Sequence, residues 1–137
     1  MSTPSPPPLY MLSFIKRRPD LSEEQFYAYW RNIHAPKVVP WAQKHNLVGY
    51  TQIHTPSNMR QTLAAVPVPL SLLDYDGAVI WEIPSLEVFL NAFADPYYLE
   101  IIAPDEAHFL DRKVATMTLG HCHPIIAGCK PLIELSN

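Results

Sequence analysis

The sequence predicts an α+β fold in which four strands and two helical regions follow one another in the order βαββαβ. Short runs of alternating or continuous apolar residues predict the strands, and two segments with apolar residues at helical spacing predict the helices. A four-stranded antiparallel sheet with both helices on one face satisfies this order, as in the ferredoxin-like arrangement. The other sheet face would then be bare, so we expect a second copy of the chain to cover it in a homodimer.

Composition limits the class of protein. The chain has 137 residues, 48% of them apolar, which favours a single globular domain. Its fifteen prolines cluster near the start, in the middle and near the end, and they predict a flexible proline-rich arm at 1–8, one domain at 9–123 and a tail at 124–137. A net charge of −3 with scattered basic residues argues against nucleic acid. Without a signal peptide or an apolar run long enough for a membrane, we expect a cytoplasmic protein.

The first two elements have clear signals. Residues 9–17, "LYMLSFIKR", are apolar and aromatic and predict a first strand. Ser22 is a natural helix N-cap, and Gln25 three residues later completes a capping box. Pro36 lacks an N–H and disfavours helical geometry at Ala35, so a kink or break is expected there.

The remaining elements follow at regular intervals. Alternation predicts strands at 47–55 and 113–123, and the segment "GAVIWEI" predicts a strand at 77–83. Residues 56–75 lack periodicity and predict a long loop, a candidate lid over a site. Ser85 caps a second helical region, which continues towards residue 111 with an interruption near Pro104.

His34 is the first candidate for chemistry. It lies one helical turn after Trp30 and two after Tyr27, on the flank of the apolar stripe, which points it towards the sheet. An imidazole titrates near neutral pH and can give or take a proton there. A half-buried histidine bonded to a backbone carbonyl is the structural alternative.

A second candidate group follows Pro104. Asp105 and His108 are three residues apart, where a carboxylate on the same helix face would raise the basicity of the histidine. The alternative is an exposed charged face, which is the interpretation favoured for Glu106.

Three polar residues of the second strand, Tyr50, Gln52 and His54, share one face, so they would line a pocket together. On the fourth strand His121 and His123 also face the same way. No carboxylate accompanies them at ligand spacing, so no metal site is predicted. Phosphate-loop, dinucleotide and hydrolase motifs are missing too, which leaves proton transfer as the favoured chemistry.

Two stretches resemble the EthD-like family. The run "IKRRPDLSEEQFYAYWRNIHAPKV" at 15–38 is similar to the family's strand, aromatic helix and closing His-Ala-Pro. The segment "APDEAHFLD" at 103–111 is similar to its Asp-Glu segment before the last strand. Membership of this family implies a dimeric α/β barrel, with a pocket between sheet and helices for small aromatic or polyketide molecules.

The resemblance is to fungal polyketide-pathway lyases and implies a decarboxylase or dehydratase that works without a cofactor. A cyclase, an isomerase, a cofactor-free oxygenase and a non-catalytic ligand-binding dimer remain as alternatives. The candidate catalytic residues are His34, His54, Asp105 and His108. The candidate substrate-binding residues are Tyr27, Trp30, Tyr50, Gln52, Trp81 and Phe109.

Overall fold

The computed structural model describes residues 6–136 and contains one four-stranded antiparallel sheet. Its strands are β1 (Leu9–Ile15), β2 (Gly49–His54), β3 (Gly77–Ile83) and β4 (Thr116–His121), in the spatial order β2-β3-β1-β4. The predicted βαββαβ order is confirmed, although β1, β2 and β4 are shorter than expected. Of the predicted arm and tail, residues 1–5 and 137 lie outside the described residues, and residues 6–8 are exposed coil.

One helical rod connects β1 to β2. It comprises α1 (Glu23–Tyr29), a π-helical segment (Trp30–His34) and α2 (Ala35–Lys44) without a gap. The capping box is present, since the Ser22 hydroxyl accepts from the Gln25 N–H and the Gln25 side chain accepts from the Ser22 N–H. The first helical rod therefore begins at the predicted N-cap, Ser22.

The predicted break at Ala35 is wrong. Its backbone stays helical, with φ −56° and ψ −42°, and its N–H donates to the Trp30 carbonyl five residues earlier. This π-type bond spans five residues, one more than the four-residue span of an α-helical hydrogen bond. Pro36 then falls in the first turn of α2, where a missing N–H is tolerated.

The second helical region repeats this design. It comprises α4 (Leu86–Phe93), a π-helical segment (Tyr98–Ile102) and α5 (Ala103–Glu106). The Ser85 hydroxyl accepts from the Val88 N–H and caps α4 as predicted. Pro104 again lies in the first turn of the α-helix that follows a π segment, so the expected interruption there is absent.

The predicted loop at 56–75 contains a helix, α3 (Ser57–Ala64). No residue of α3 is buried, so no apolar periodicity marks it in the sequence. Polar contacts hold it instead: the Ser57 N–H donates to Glu23 at 2.9 Å, and Arg60 donates to the Tyr75 carbonyl.

The core lies between one sheet face and the helices. In the register of the sheet, Met11 stands opposite Trp81 on one side and Leu119 on the other, so these side chains share the inner face. Val38 and Trp41 of α2 pack on this face, together with Phe89 of α4. A second cluster joins β1 to the helices, and its buried members are Ile15, Phe26, Trp30 and Phe109.

The outer sheet face and the tail carry exposed apolar groups. After β4 the chain forms a small hairpin, β5 (Ile126–Ala127) and β6 (Lys130–Pro131), whose residues are exposed.

Among residues 6–136, no helix is both long and apolar enough to cross a membrane.

Candidate active site

A cavity of about 180 Å³ lies between the inner sheet face and the helices. Its walls are mainly aromatic and aliphatic, and all three tryptophans of the chain, Trp30, Trp41 and Trp81, line it. The volume is below the roughly 300–1,000 Å³ of pockets for drug-sized molecules, which favours a compact ligand. Met117 of β4 lines the cavity yet is 71% exposed, so the cavity opens along this strand and a flat ligand can extend outwards.

One histidine and one aspartate form a buried pair at this cavity. His34 is 6% exposed and lines the cavity, and its Nδ1 lies 2.8 Å from Oδ2 of Asp105, which is 3% exposed. The contact joins the two helical regions across 71 residues of sequence. The ring is therefore fixed by a carboxylate behind it and faces the cavity.

Two further donors hold Asp105. The Tyr29 hydroxyl donates to Oδ1 at 2.5 Å, and the Lys37 ammonium donates to the same oxygen at 2.8 Å. Burial raises the pKa of Asp105, but the hydrogen bonds from Lys37, Tyr29 and His34 outweigh burial and hold that pKa at about 2. The side chain is an anion at neutral pH.

The local sequence explains how these groups meet. Each helical region passes from a π segment into an α-helix at an Ala-Pro pair, Ala35-Pro36 in one and Ala103-Pro104 in the other. Lys37 and Asp105 directly follow the two prolines and bond to each other. Because π segments redirect side chains within a helix and recur at functional sites, the two junctions place the polar cluster at the cavity wall.

The pair has the electrostatics of a proton acceptor. An ionised Asp105 can only accept a hydrogen bond, so Nδ1 of His34 carries the hydrogen and Nε2 keeps its lone pair. Burial lowers the pKa of His34, and the attraction of Asp105 opposes this only in part. At neutral pH His34 is therefore a neutral imidazole whose Nε2 can take a proton from a ligand.

Five of the residues predicted for the site line the cavity. They are His34, Trp30, Tyr50, Trp81 and Phe109. Burial also raises the pKa of Tyr50, which keeps its hydroxyl protonated and able to donate.

The other second-strand candidates lie behind the cavity wall. His54 stacks between the rings of Tyr27 and Trp30, with centroid distances of 4.7 and 4.9 Å, and its Nε2 lies 3.0 Å from Gln52. Gln52 donates to the Trp30 carbonyl at 3.1 Å, and Tyr27 donates to the Asp76 carbonyl at 2.6 Å. The prediction that strand residues 50, 52 and 54 line the pocket together therefore holds for Tyr50 alone, and the other two support Trp30.

The predicted contact between Asp105 and His108 is wrong. Asp105 turns inward to His34, Lys37 and Tyr29, whereas His108 is exposed and does not line the cavity. Three-residue spacing allowed the local contact, but three donors from the opposite helical region satisfy the carboxylate better. His121 is also away from the cavity, with Nδ1 3.2 Å from the Pro7 carbonyl.

Sequence reasoning missed several residues of the site, among them three with ionisable side chains. Tyr29 and Lys37 contact Asp105, and Glu106, interpreted as an exposed charge, lines the cavity. A signal for Lys37 was available, because it follows the Ala-Pro pair as Asp105 does. Nothing comparable marks Tyr29, because its aromatic neighbours in the sequence are equally good candidates for a contact with Asp105.

A search of protein families matches residues 18–113 to the EthD domain. The chain belongs to the EthD family. This match covers both stretches that contribute to the His34–Asp105 pair, and it confirms the resemblance drawn from the sequence.

Relatives of this EthD protein are named as dehydratases and decarboxylases. It is 34% identical to a conidial pigment biosynthesis dehydratase of Metarhizium robertsii over 93% of this chain and 92% of that one. It is also 34% identical to the dehydratase aurZ of Gibberella zeae, over 77% of this chain and 70% of that protein. The decarboxylase claH of Passalora fulva is 30% identical over 76% of this chain and 69% of that protein.

Solved structures support the fold. An EthD-family protein from Bacillus halodurans superposes with a TM-score of 0.58 at 14% identity, over 85% of this chain and 99% of that one. A protein from Bacteroides fragilis, described as dimeric with a ferredoxin-like fold, gives a TM-score of 0.56 at 9% identity, over 84% of this chain and 96% of that one. The EthD protein thus has the α+β ferredoxin-like fold that its sequence predicts.

Proposed function

We propose that this protein is a dehydratase for a compact aromatic or polyketide-derived hydroxy ketone, with His34 as the general base. The observation that supports it most is the buried His34–Asp105 pair at an aromatic cavity. The dehydratase and decarboxylase relatives support a lyase activity.

The chemistry requires one base beside an apolar surface. Nε2 of neutral His34 takes the proton from the carbon next to a carbonyl, the C–H electron pair forms a double bond, the C–O bond breaks, and the departing oxygen takes a second proton from solvent or an acid and leaves as water. The developing imidazolium is stabilised by the Asp105 anion behind it. Lys37 and Tyr29 hold that anion in place.

Decarboxylation is the second candidate, because one relative of 30% identity is named a decarboxylase. In that reaction neutral His34 takes the proton of the substrate's carboxylic acid, carbon dioxide leaves as the C–C bond breaks, and the imidazolium returns that proton to the ring carbon. The two reactions share the cavity and differ in the mass that the substrate loses.

Incubation with a panel of hydroxylated polycyclic ketones and anthrone-type carboxylic acids, followed by mass spectrometry, tests both candidates. We expect loss of water from the hydroxy ketones, and His34→Gln to reduce turnover by about 10²- to 10⁴-fold, the usual contribution of a positioned acid or base. His108→Gln is the matched control, because His108 is exposed and outside the cavity.

Binding is measured separately by the fluorescence of the three tryptophans that line the cavity. His34→Gln should keep the dissociation constant while it loses turnover. Unchanged turnover in this variant would remove His34 from the mechanism. Ligand binding by the unaltered protein, with the ligand recovered unchanged in both mass and chromatographic retention, would instead favour the non-catalytic dimer.

A further inference from the structure

A second titratable side chain faces the same cavity as His34. Glu106 is the last residue of α5, and its carboxyl is one of the few polar groups in an otherwise apolar lining. Successive helical residues point about 100° apart, so Asp105 reaches back to the first helical rod while Glu106 reaches the cavity. The site therefore contains two carboxyl groups in different surroundings.

The contacts of Glu106 differ from those of Asp105. The Tyr98 hydroxyl donates to Oε1 at 3.3 Å, and Nε of Arg112 lies 3.8 Å from Oε2, at the outer edge of an ion pair. Asp105, by contrast, has three donors within 2.8 Å. Donors stabilise the charged form of a carboxyl group, so a carboxyl with few and distant donors keeps its proton to a higher pH than one held by three.

The net effect of the surroundings of Glu106 is to raise its pKa. Burial raises the pKa of its carboxyl and the neighbouring Asp105 anion adds to this, while Arg112 and Tyr98 oppose them incompletely. Tyr50, on the facing strand, is neutral at ordinary pH because burial raises its pKa. Environments that drive two carboxyl groups apart in this way are typical of sites with separate acid and base roles.

We propose that Glu106 is the general acid that protonates the leaving hydroxyl group, in the same cavity as His34. This assignment rests on the proposed dehydration. It also defines the substrate as a β-hydroxy carbonyl compound, since the base acts on the carbon beside the carbonyl and the acid acts on the oxygen one carbon further.

The step balances in atoms and charge. Nε2 of His34 takes the carbon-bound proton, the C–H electron pair forms the C=C bond, the C–O bond breaks, and the departing oxygen takes the proton of Glu106 and leaves as water. The site then holds an imidazolium and a carboxylate. Transfer of the proton from His34 to Glu106 through solvent in the open cavity restores both groups.

The test compares Glu106→Gln with Glu100→Gln. The amide keeps the size of the side chain and can still accept from Tyr98, but it cannot supply an acidic proton. Glu100 is an exposed residue of the neighbouring π segment and serves as the control. We expect Glu106→Gln to lower kcat by about 10²- to 10⁴-fold and to remove the basic limb of the pH profile, with the tryptophan-fluorescence dissociation constant unchanged.

A substrate with a better leaving group separates this proposal from the proposed function. With fluoride in place of the hydroxyl, departure needs no acid, so Glu106→Gln should approach the activity of the unaltered protein while His34→Gln stays inactive. Glu106→Asp keeps an acid and should retain the basic limb with reduced kcat.

Two results would overturn the assignment. Full activity of Glu106→Gln on the hydroxy substrate, with His34→Gln inactive, would remove Glu106 and leave the dehydratase intact. An equal loss on hydroxy and fluoro substrates would show that Glu106 only supports the fold. Unchanged turnover in His34→Gln would instead contradict the proposed function itself.

Discussion

Two buried aspartates in this chain are each bonded to one histidine and one lysine. Asp105 accepts from His34 and Lys37, and Asp95 accepts from His45 and Lys44, both at 2.7 Å. Hydrogen bonds from Lys44 and then His45 hold the pKa of Asp95 well below its usual range. Of the two clusters, that of Asp105 lies at the cavity and that of Asp95 does not. Comparing variants of the two aspartates therefore separates an effect on catalysis from an effect on stability.

Asp105→Asn should lower kcat by about 10²- to 10⁴-fold, because an amide stabilises the imidazolium of His34 less and can bind the wrong tautomer. The pH profile gives the sign. Burial already lowers the pKa of His34 below 6.5, and Asp105 opposes that shift. Its removal lowers the pKa further, so the acid limb of kcat/KM, already below pH 6.5, should move to still lower pH.

Asp95→Asn is the control for this experiment. It removes an anion of similar burial, 7% against 3% exposed, outside the cavity. We expect a loss of thermal stability with kcat and the acid limb unchanged. Asp105→Asn with full activity and an unmoved limb would show that the carboxylate does not act on His34.

At the scale of elements, the contact between β3 and the first helical rod depends on one glycine. A Cβ on Gly77 would lie 2.6 Å and 2.8 Å from two ring atoms of Trp30, closer than real contacts allow. Trp30 is 1% exposed, lines the cavity and stacks on His54. The absence of a side chain at Gly77 therefore lets the indole ring of Trp30 approach the sheet closely.

Gly77→Ala should destabilise the protein by about 1–3 kcal/mol through overpacking, and should shift the fluorescence of Trp30. Gly120→Ala is the matched control in a strand, because a Cβ there meets nothing within 4 Å. Urea unfolding followed by fluorescence gives both values. Equal stability of the two variants would show that Trp30 moves aside without cost.

The same elements show what the sequence could predict. The capping box and the strand at 77–83 are set by neighbouring residues, and both were predicted. The π segments were not, because local rules give Pro36 a break, whereas tertiary packing of Trp30 on one side and Trp41 on the other maintains one rod. The His34–Asp105 contact spans 71 residues, and spacing rules reach only one helical turn.

At the scale of the whole molecule, the middle of the outer sheet face is a surface that the helices of the described residues leave uncovered. Thr51, Ile80, Leu12 and Thr118 form one row across its four strands. The two helical regions lie on the inner face, and α3 reaches only the end of the outer face beside Phe14 and Ala78, so apolar side chains such as Ile80 and Leu12 remain partly exposed in the single chain. We propose that a second copy packs its own outer face here in a two-fold homodimer.

Ile80→Asp tests this arrangement, because Ile80 lies in the middle row of the sheet and a two-fold interface would bury the new carboxylate in both copies. We expect a dimer for the unaltered protein and a monomer for this variant by light scattering. Leu90→Asp is the control, since Leu90 is 58% exposed on α4 at the opposite side of the sheet. An Ile80→Asp protein that stays dimeric, or an unaltered protein that is monomeric at micromolar concentration, would contradict the outer-face dimer.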